Sequence, residues 1–198
     1  MLNVAVSVLQ KHDLTVEPVF GTLGRGGKLY DSHYPLLSFI VIPFAAMGLF
    51  AAGYSHLPAI YVVGVFAILL STIIAALNVG ATYYLARICL GASERRAIAA
   101  ALVFGFGTLA LRYSRSFCAD PLLTLIATSV LILLFAERPR AFVLALLCAL
   151  AVLAKPVGLL IGAAVFVYLA LQQNYRAAFI SGSGLAITAS KENNGRFC

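Results

Sequence analysis

Ionisable and polar-aromatic side chains gather at the edges of long apolar runs in this sequence. Lys28, Tyr30, Asp31, His33 and Tyr34 precede one run at Pro35; Arg112, Arg115 and Asp120 precede another at Pro121; and Lys155 stands between two more. At bilayer depth a charged group of this kind costs about 2.5 to 3.5 kcal/mol, so its retention there calls for a reason. The residue types offer cations for a phosphate, carboxylates for proton transfer and aromatic faces for a sugar. Each also has a plainer reading. Lys155 can snorkel from a helix end, Arg112 and Arg115 can anchor to lipid headgroups, and Asp120 before Pro121 suits a helix N-cap. His33 and Tyr34 fit an interfacial belt, and Asp13 and Glu17 fit solvated loop charges.

The elements that must position these residues follow from composition. Of 198 residues 62% are hydrophobic and 11% charged, and the mean hydropathy is +0.99. A soluble domain carries roughly twice that share of charge. Runs such as Ile60 to Ala76 and Pro121 to Ala136 are apolar on every face, which suits a spanning helix and excludes the period-two alternation of a barrel strand. The expected fold is all-α, a polytopic bundle of about five transmembrane helices. A juxtamembrane or re-entrant helical segment joins it, after an external N-terminal loop. Asn78, in the middle of a long run, is expected to hydrogen-bond between helices.

The apolar runs are Pro35 to Gly53, Ile60 to Leu85, Ala97 to Leu111, Pro121 to Ala136, Ala141 to Ala154 and Val157 to Leu171, with a weaker seventh at Ala177 to Ala189. Residues 1–34 read as the external loop, although Leu2 to Leu9 could form an amphipathic turn or two on a membrane surface. Residues 35–56 read as the juxtamembrane or first membrane helix, since Pro43 and Gly48 interrupt them. Residues 57–172 form the bundle, and 173–198 a cytoplasmic connector and irregular tail. The net charge of +7 is scattered in ones and twos, with no basic stripe for nucleic acid. Arg87, Arg95 and Arg96, then Arg138 and Arg140, then Arg176 mark cytoplasmic connectors by the positive-inside rule. The 112–120 connector and the Lys155 turn then face outside, at the external rim, although both are positively charged. Cys89, Cys118, Cys148 and Cys198 lack metal-ligand spacing. Met1 to Gln10 does not read as a cleavable signal, so insertion is expected to use the internal helices.

Three segments resemble the GT-C type glycosyltransferases that take a polyprenyl-phosphate-linked sugar as donor, the superfamily of protein O-mannosyltransferases and the lipid A aminoarabinose transferase. G-K-L-Y-D-S-H-Y-P-L-L-S-F-I-V-I-P at Gly27 to Pro43 resembles that family's external-loop string leading into an apolar stretch. G-F-G-T-L-A-L-R-Y-S-R-S-F-C-A-D-P-L-L at Gly105 to Leu123 is similar to its Gly-Thr, Tyr-x-Arg, acidic-Pro pattern. A-V-L-A-K-P-V-G-L-L at Ala151 to Leu160 is similar to its apolar helix ended by Lys-Pro. Together the segments carry the resemblance over Met1 to about Leu171.

The resemblance implies an inverting transfer at the cell membrane. An external carboxylate activates an acceptor hydroxyl, which attacks the anomeric carbon and expels polyprenyl phosphate. Lys28, Arg115 and Lys155 would meet the leaving charge. Asp120 would orient Arg115 or touch the acceptor, while Tyr30, His33 and Tyr34 would pack the sugar or lipid phosphate. Family members begin with a helix before the external loop and carry their catalytic acid just after it. By that pattern this chain starts inside the loop and ends early, leaving Asp13 and Glu17 as its first acids. The expected partners are membrane lipid and the lipid-linked donor. A divalent metal is compatible with the chemistry, but no ligand cluster is visible. A transporter or permease component, or an inactive fragment or assembly subunit, stands as the alternative. The three polar segments are expected to converge on one membrane face.

Overall fold

The computed structural model describes residues 2–14, 21–23, 29–31, 35–135 and 141–171, which form a helical protein. Helix α1 is Leu2–Lys11. A short antiparallel ladder follows, β1 (Gly21–Leu23) and β2 (Leu29–Asp31), with Thr22 opposite Tyr30. Then come α2 (Pro35–Ile40), α3 (Ile42–Ala52), α4 (Ala59–Tyr84), α5 (Glu94–Gly107), α6 (Ala110–Tyr113), α7 (Asp120–Leu134), α8 (Ala141–Ala154) and α9 (Gly158–Leu171). The ladder and α1 lie in the stretch read from sequence as external loop. The apolar side of α1 does not lie free for a membrane surface: Ala5 is fully buried, and Leu2, Val6 and Leu9 pack into the core beside α2 and α3.

Most helix boundaries follow from where the apolar runs stop. The Pro35 to Gly53 run is divided at Val41, just before the Pro43 ring, which has no N–H to give the carbonyl one turn back. Helix α4 continues through a wider π-turn at Leu85–Cys89, so the helical segment Ala59–Cys89 is 31 residues long. At 1.5 Å per residue that is about 46 Å, more than the roughly 30 Å hydrocarbon layer. Only 33% of its most apolar window is buried. Among the described residues it is the one helix long and apolar enough to cross a bilayer. Ile42–Ala52, Asp120–Leu134, Ala141–Ala154 and Gly158–Leu171 are shorter apolar helices.

Packing arranges these helices along α4. Helix α3 crosses it closely at Gly48, where a Cβ would stand 2.7 Å from the Val63 Cα; only a glycine admits that approach. Helix α5 returns along the other half of α4, with Gly105 lying against Val79. One buried cluster joins Leu37 and Val41, Val63 to Ile74, Ala119 to Ile126, and Ala151 and Ala154. A second, built from Val130, Leu144, Cys148, Val152, Val165 and Leu169, ties α7 to α8 and α9. The outer faces are themselves apolar: Phe50, Phe106, Phe142 and Leu171 are each at least 70% exposed. Exposed apolar area on this scale suits lipid as the surrounding solvent.

The candidate site at the α7 and α8 ends

Two of the polar segments meet. The Lys155 ammonium lies 2.6 Å from the Asp120 Oδ1, a charge-assisted contact across 35 residues of sequence. Local structure explains how each side chain reaches the other. Helix α8 stops at Ala154 because Pro156 cannot continue its ladder, and the Lys155 N–H still donates to the Ala151 carbonyl. The chain then reverses over Pro156 and Val157. Gly158 opens α9 so close to the end of α8 that a Cβ there would strike the Ala151 backbone.

Asp120 opens α7, with Pro121 behind it in the first turn. The N-cap is Ala119, and no side chain caps that end. The reading of Asp120 as the cap is therefore corrected. Its carboxylate is turned to Lys155 instead. The Thr124 hydroxyl donates to the Asp120 carbonyl at 2.9 Å and holds the backbone there. The simple snorkelling reading of Lys155 gives way to the ion pair.

Helix α4 grips both ends of the turn that leads to Asp120. The Thr72 hydroxyl shares its one proton between the Ile68 carbonyl of its own helix at 3.0 Å and the Ser114 carbonyl at 3.2 Å, and the Asn78 amide donates to the Pro121 carbonyl at 2.8 Å. Asn78 is 2% exposed and also donates to Ile74 within its own helix. Its Oδ1 is buried without a hydrogen-bond partner among the described residues. The interhelical bond expected of Asn78 is present; its target, the carbonyl beside Asp120, was not legible.

This frame also fixes the height of the site. Thr72 and Asn78 fall in the middle third of Ala59–Cys89, so the 114–121 turn stands level with the middle of the one long helix. Helix α5 is only 14 residues long and ends at Gly107, well short of the far end of α4. Helix α3 flanks the half of α4 that lies beyond.

The ion pair is half-open, its side chains 42% and 38% exposed for Lys155 and Asp120. The hydrogen bond to Asp120 is the main influence holding the Lys155 ammonium above its ordinary pKa of 10.5; loss of hydration opposes it, and the charge of Asp120 adds to it. Cys118 and Tyr113 face the same ammonium and act in the same direction when ionised. Arg112 and Arg115 are exposed, and among the described residues no ion pair or hydrogen bond engages either guanidinium. Beside the turn, a cleft of about 250 Å³ opens between α4 and α7, walled by Asn78, Phe104, Thr108, Tyr113, Pro121 and Thr124. A larger apolar groove of about 370 Å³ runs between α7 and α9. It holds no charged residue and sits along the half of α7 away from Asp120.

The remaining sequence candidates divide. Lys28, His33 and Tyr34 lie outside the described residues, while Tyr30 falls in β2. Asp13 follows α1, where its Oδ1 accepts the Leu14 N–H at 2.7 Å. Among the described residues no group of three or more His, Cys, Asp or Glu gathers to hold a metal. The chain matches no family model, no curated protein and no solved structure.

Proposed function

We propose that this chain is a multi-pass protein of the cell membrane that binds a lipid-linked phosphate at the Asp120–Lys155 pair. Its activity is that of a GT-C type glycosyltransferase, or of part of one, acting on the extracytoplasmic side. The observation that carries the reading is the 2.6 Å contact between Lys155 and Asp120, which unites two of the three segments bearing the resemblance. Leu37 and Val41, from the third segment, share a buried cluster with Ala119, Ala151 and Ala154.

The chemistry asks little of the chain beyond placement and charge. The acceptor O–H attacks the anomeric carbon, its proton passes to a carboxylate, and the bond from that carbon to the phosphate oxygen breaks. Lys155, with Arg115 nearby in the turn, offsets the charge left on the phosphate. Asp120 is the carboxylate within reach of that cation. Membranes containing the chain are to be supplied with a radiolabelled polyprenyl-phosphate sugar. Transfer that falls by two orders of magnitude or more in Lys155→Gln and Asp120→Asn supports the reading. Transfer untouched by both removes it.

A second reading, a transporter component, draws on one observation. The polar turn stands level with the middle of the long helix, where transporters place their ionisable groups. Uptake of a labelled phosphorylated sugar by proteoliposomes, without covalent transfer, would favour it.

A further inference from the structure

We propose that Asp120 is an internal stand-in for the anion that Lys155 binds, so the Asp120–Lys155 pair is a latch opened by an incoming phosphate. The inference rests on the reading of Lys155 as a phosphate-binding group and adds to it a regulation of the same site.

Three observations carry it. The first is mobility. The backbone at Asp120 is fixed by Thr124 on its own helix and by Asn78 through Pro121. The Lys155 ammonium, in contrast, ends a flexible four-carbon stem that rises from a turn. The lysine is thus the member that can swing. The second is access: both side chains are more than a third exposed, so a soluble anion or a headgroup can reach the ammonium. An ion pair this open is weak, and a competitor need not be strong.

The third is charge balance. Lys155 has a single carboxylate partner, and the turn that leads to Asp120 carries two exposed arginines, Arg112 and Arg115, whose guanidiniums have no partner among the described residues. A phosphate monoester brings a charge of about −1.5 to −2 and three acceptor oxygens, against one negative charge on Asp120. It therefore draws Lys155 away and engages the arginines as well. The sugar-bearing lipid phosphate is a diester with one negative charge and competes on about equal terms with Asp120, whereas the monoester left after transfer competes better. Once Lys155 has moved, the Asp120 carboxylate is free to accept a proton. In the empty protein it is occupied, so a base appears at the site only when the anion is bound.

The test is calorimetric titration of the purified chain in detergent micelles with geranyl phosphate, and in a separate arm with inorganic phosphate. Wild type binds the probe, and Lys155→Gln loses that binding. Asp120→Asn binds about two- to fivefold more tightly than wild type, the range set by releasing an exposed pair. Asp120→Ser, which keeps a short polar side chain at the start of α7, gives the same gain if the asparagine variant fails to fold. Tightening confined to geranyl phosphate assigns the ligand to a lipid-linked phosphate; tightening in both arms assigns it to phosphate as such. Either result upholds the latch. Unchanged or weaker binding in both Asp120 variants, with Lys155→Gln still defective, overturns the latch and leaves the phosphate site standing. Undiminished binding by Lys155→Gln overturns the phosphate reading, and the latch falls with it.

Discussion

Breaking the Asp120–Lys155 pair is expected to cost little stability, and the size of that cost reports where the pair lies. With side chains 42% and 38% exposed, both groups keep much of their hydration, so the 2.6 Å contact cannot be valued as a buried one. An exposed pair contributes about 0.2 to 1 kcal/mol. A double-mutant cycle with Asp120→Ala, Lys155→Ala and the double variant isolates that coupling. Equilibrium unfolding in mixed micelles, followed by helical circular dichroism, supplies the four stabilities. The contribution has a defined pH course. The folded Lys155 pKa is raised, so its share of stability is complete below the ordinary value of 10.5 and is lost as pH rises through the higher folded value. The coupling at pH 7.5 should exceed that at pH 11.5. A single substitution costing about 3 to 5 kcal/mol would refute this reasoning, because that is the penalty for stranding one member of a dry ion pair.

Other substitutions test the frame around the pair. Asn78→Leu removes the bond to the Pro121 carbonyl and should destabilise the protein by about 0.6 to 1.7 kcal/mol in the same assay. It should also lower the raised Lys155 pKa, measured by nitrogen-15 NMR of the ammonium, as Asp120 drifts from register. Gly48→Ala must push α3 from Val63 and should cost about 1 to 3 kcal/mol, whereas Gly80→Ala meets nothing within 4 Å and should be neutral or mildly stabilising. Cys118, in the polar turn, should react in intact cells with a membrane-impermeant maleimide, while buried Cys148 stays unlabelled. Labelling of Cys118 only after the cells are permeabilised would place that turn on the cytoplasmic side.

Much of the helical outline was legible because lipid-compatible runs end where polar residues begin. The run Ala141 to Ala154 is α8 to the residue, and Pro121 to Ala136 differs from α7 only at its ends. The run Ala97 to Leu111 was harder. It stops at Gly107, where the Thr108 hydroxyl takes the Phe104 carbonyl, and the one-turn α6 follows. The signal for that break is local, Gly105 and Gly107 followed by Thr108, and it is masked by the apolar residues that resume on the far side. The position of the polar turn along α4 was hidden for a different reason. It depends on which α4 residues reach the Ser114 and Pro121 carbonyls, and that register is set by packing between helices 42 and 43 residues apart in sequence. Likewise, the local context of Asp120 spoke for a cap, and only the distant Lys155 decided otherwise.

The tight reversal at Lys155–Val157 bears on how such a chain would enter a bilayer as it is made. Helices α8 and α9 are separated by too few residues to be handled as independent segments, so in the proposed multi-pass arrangement they would pass into the membrane together as one hairpin. Its tip carries the lysine, a cation that the positive-inside rule would hold back. Synthesis runs from the N-terminus, so α7 is already in place when that tip emerges. In that arrangement the Asp120 carboxylate would be a waiting counter-charge, and the contact that organises the finished site would lower the barrier to translocating Lys155.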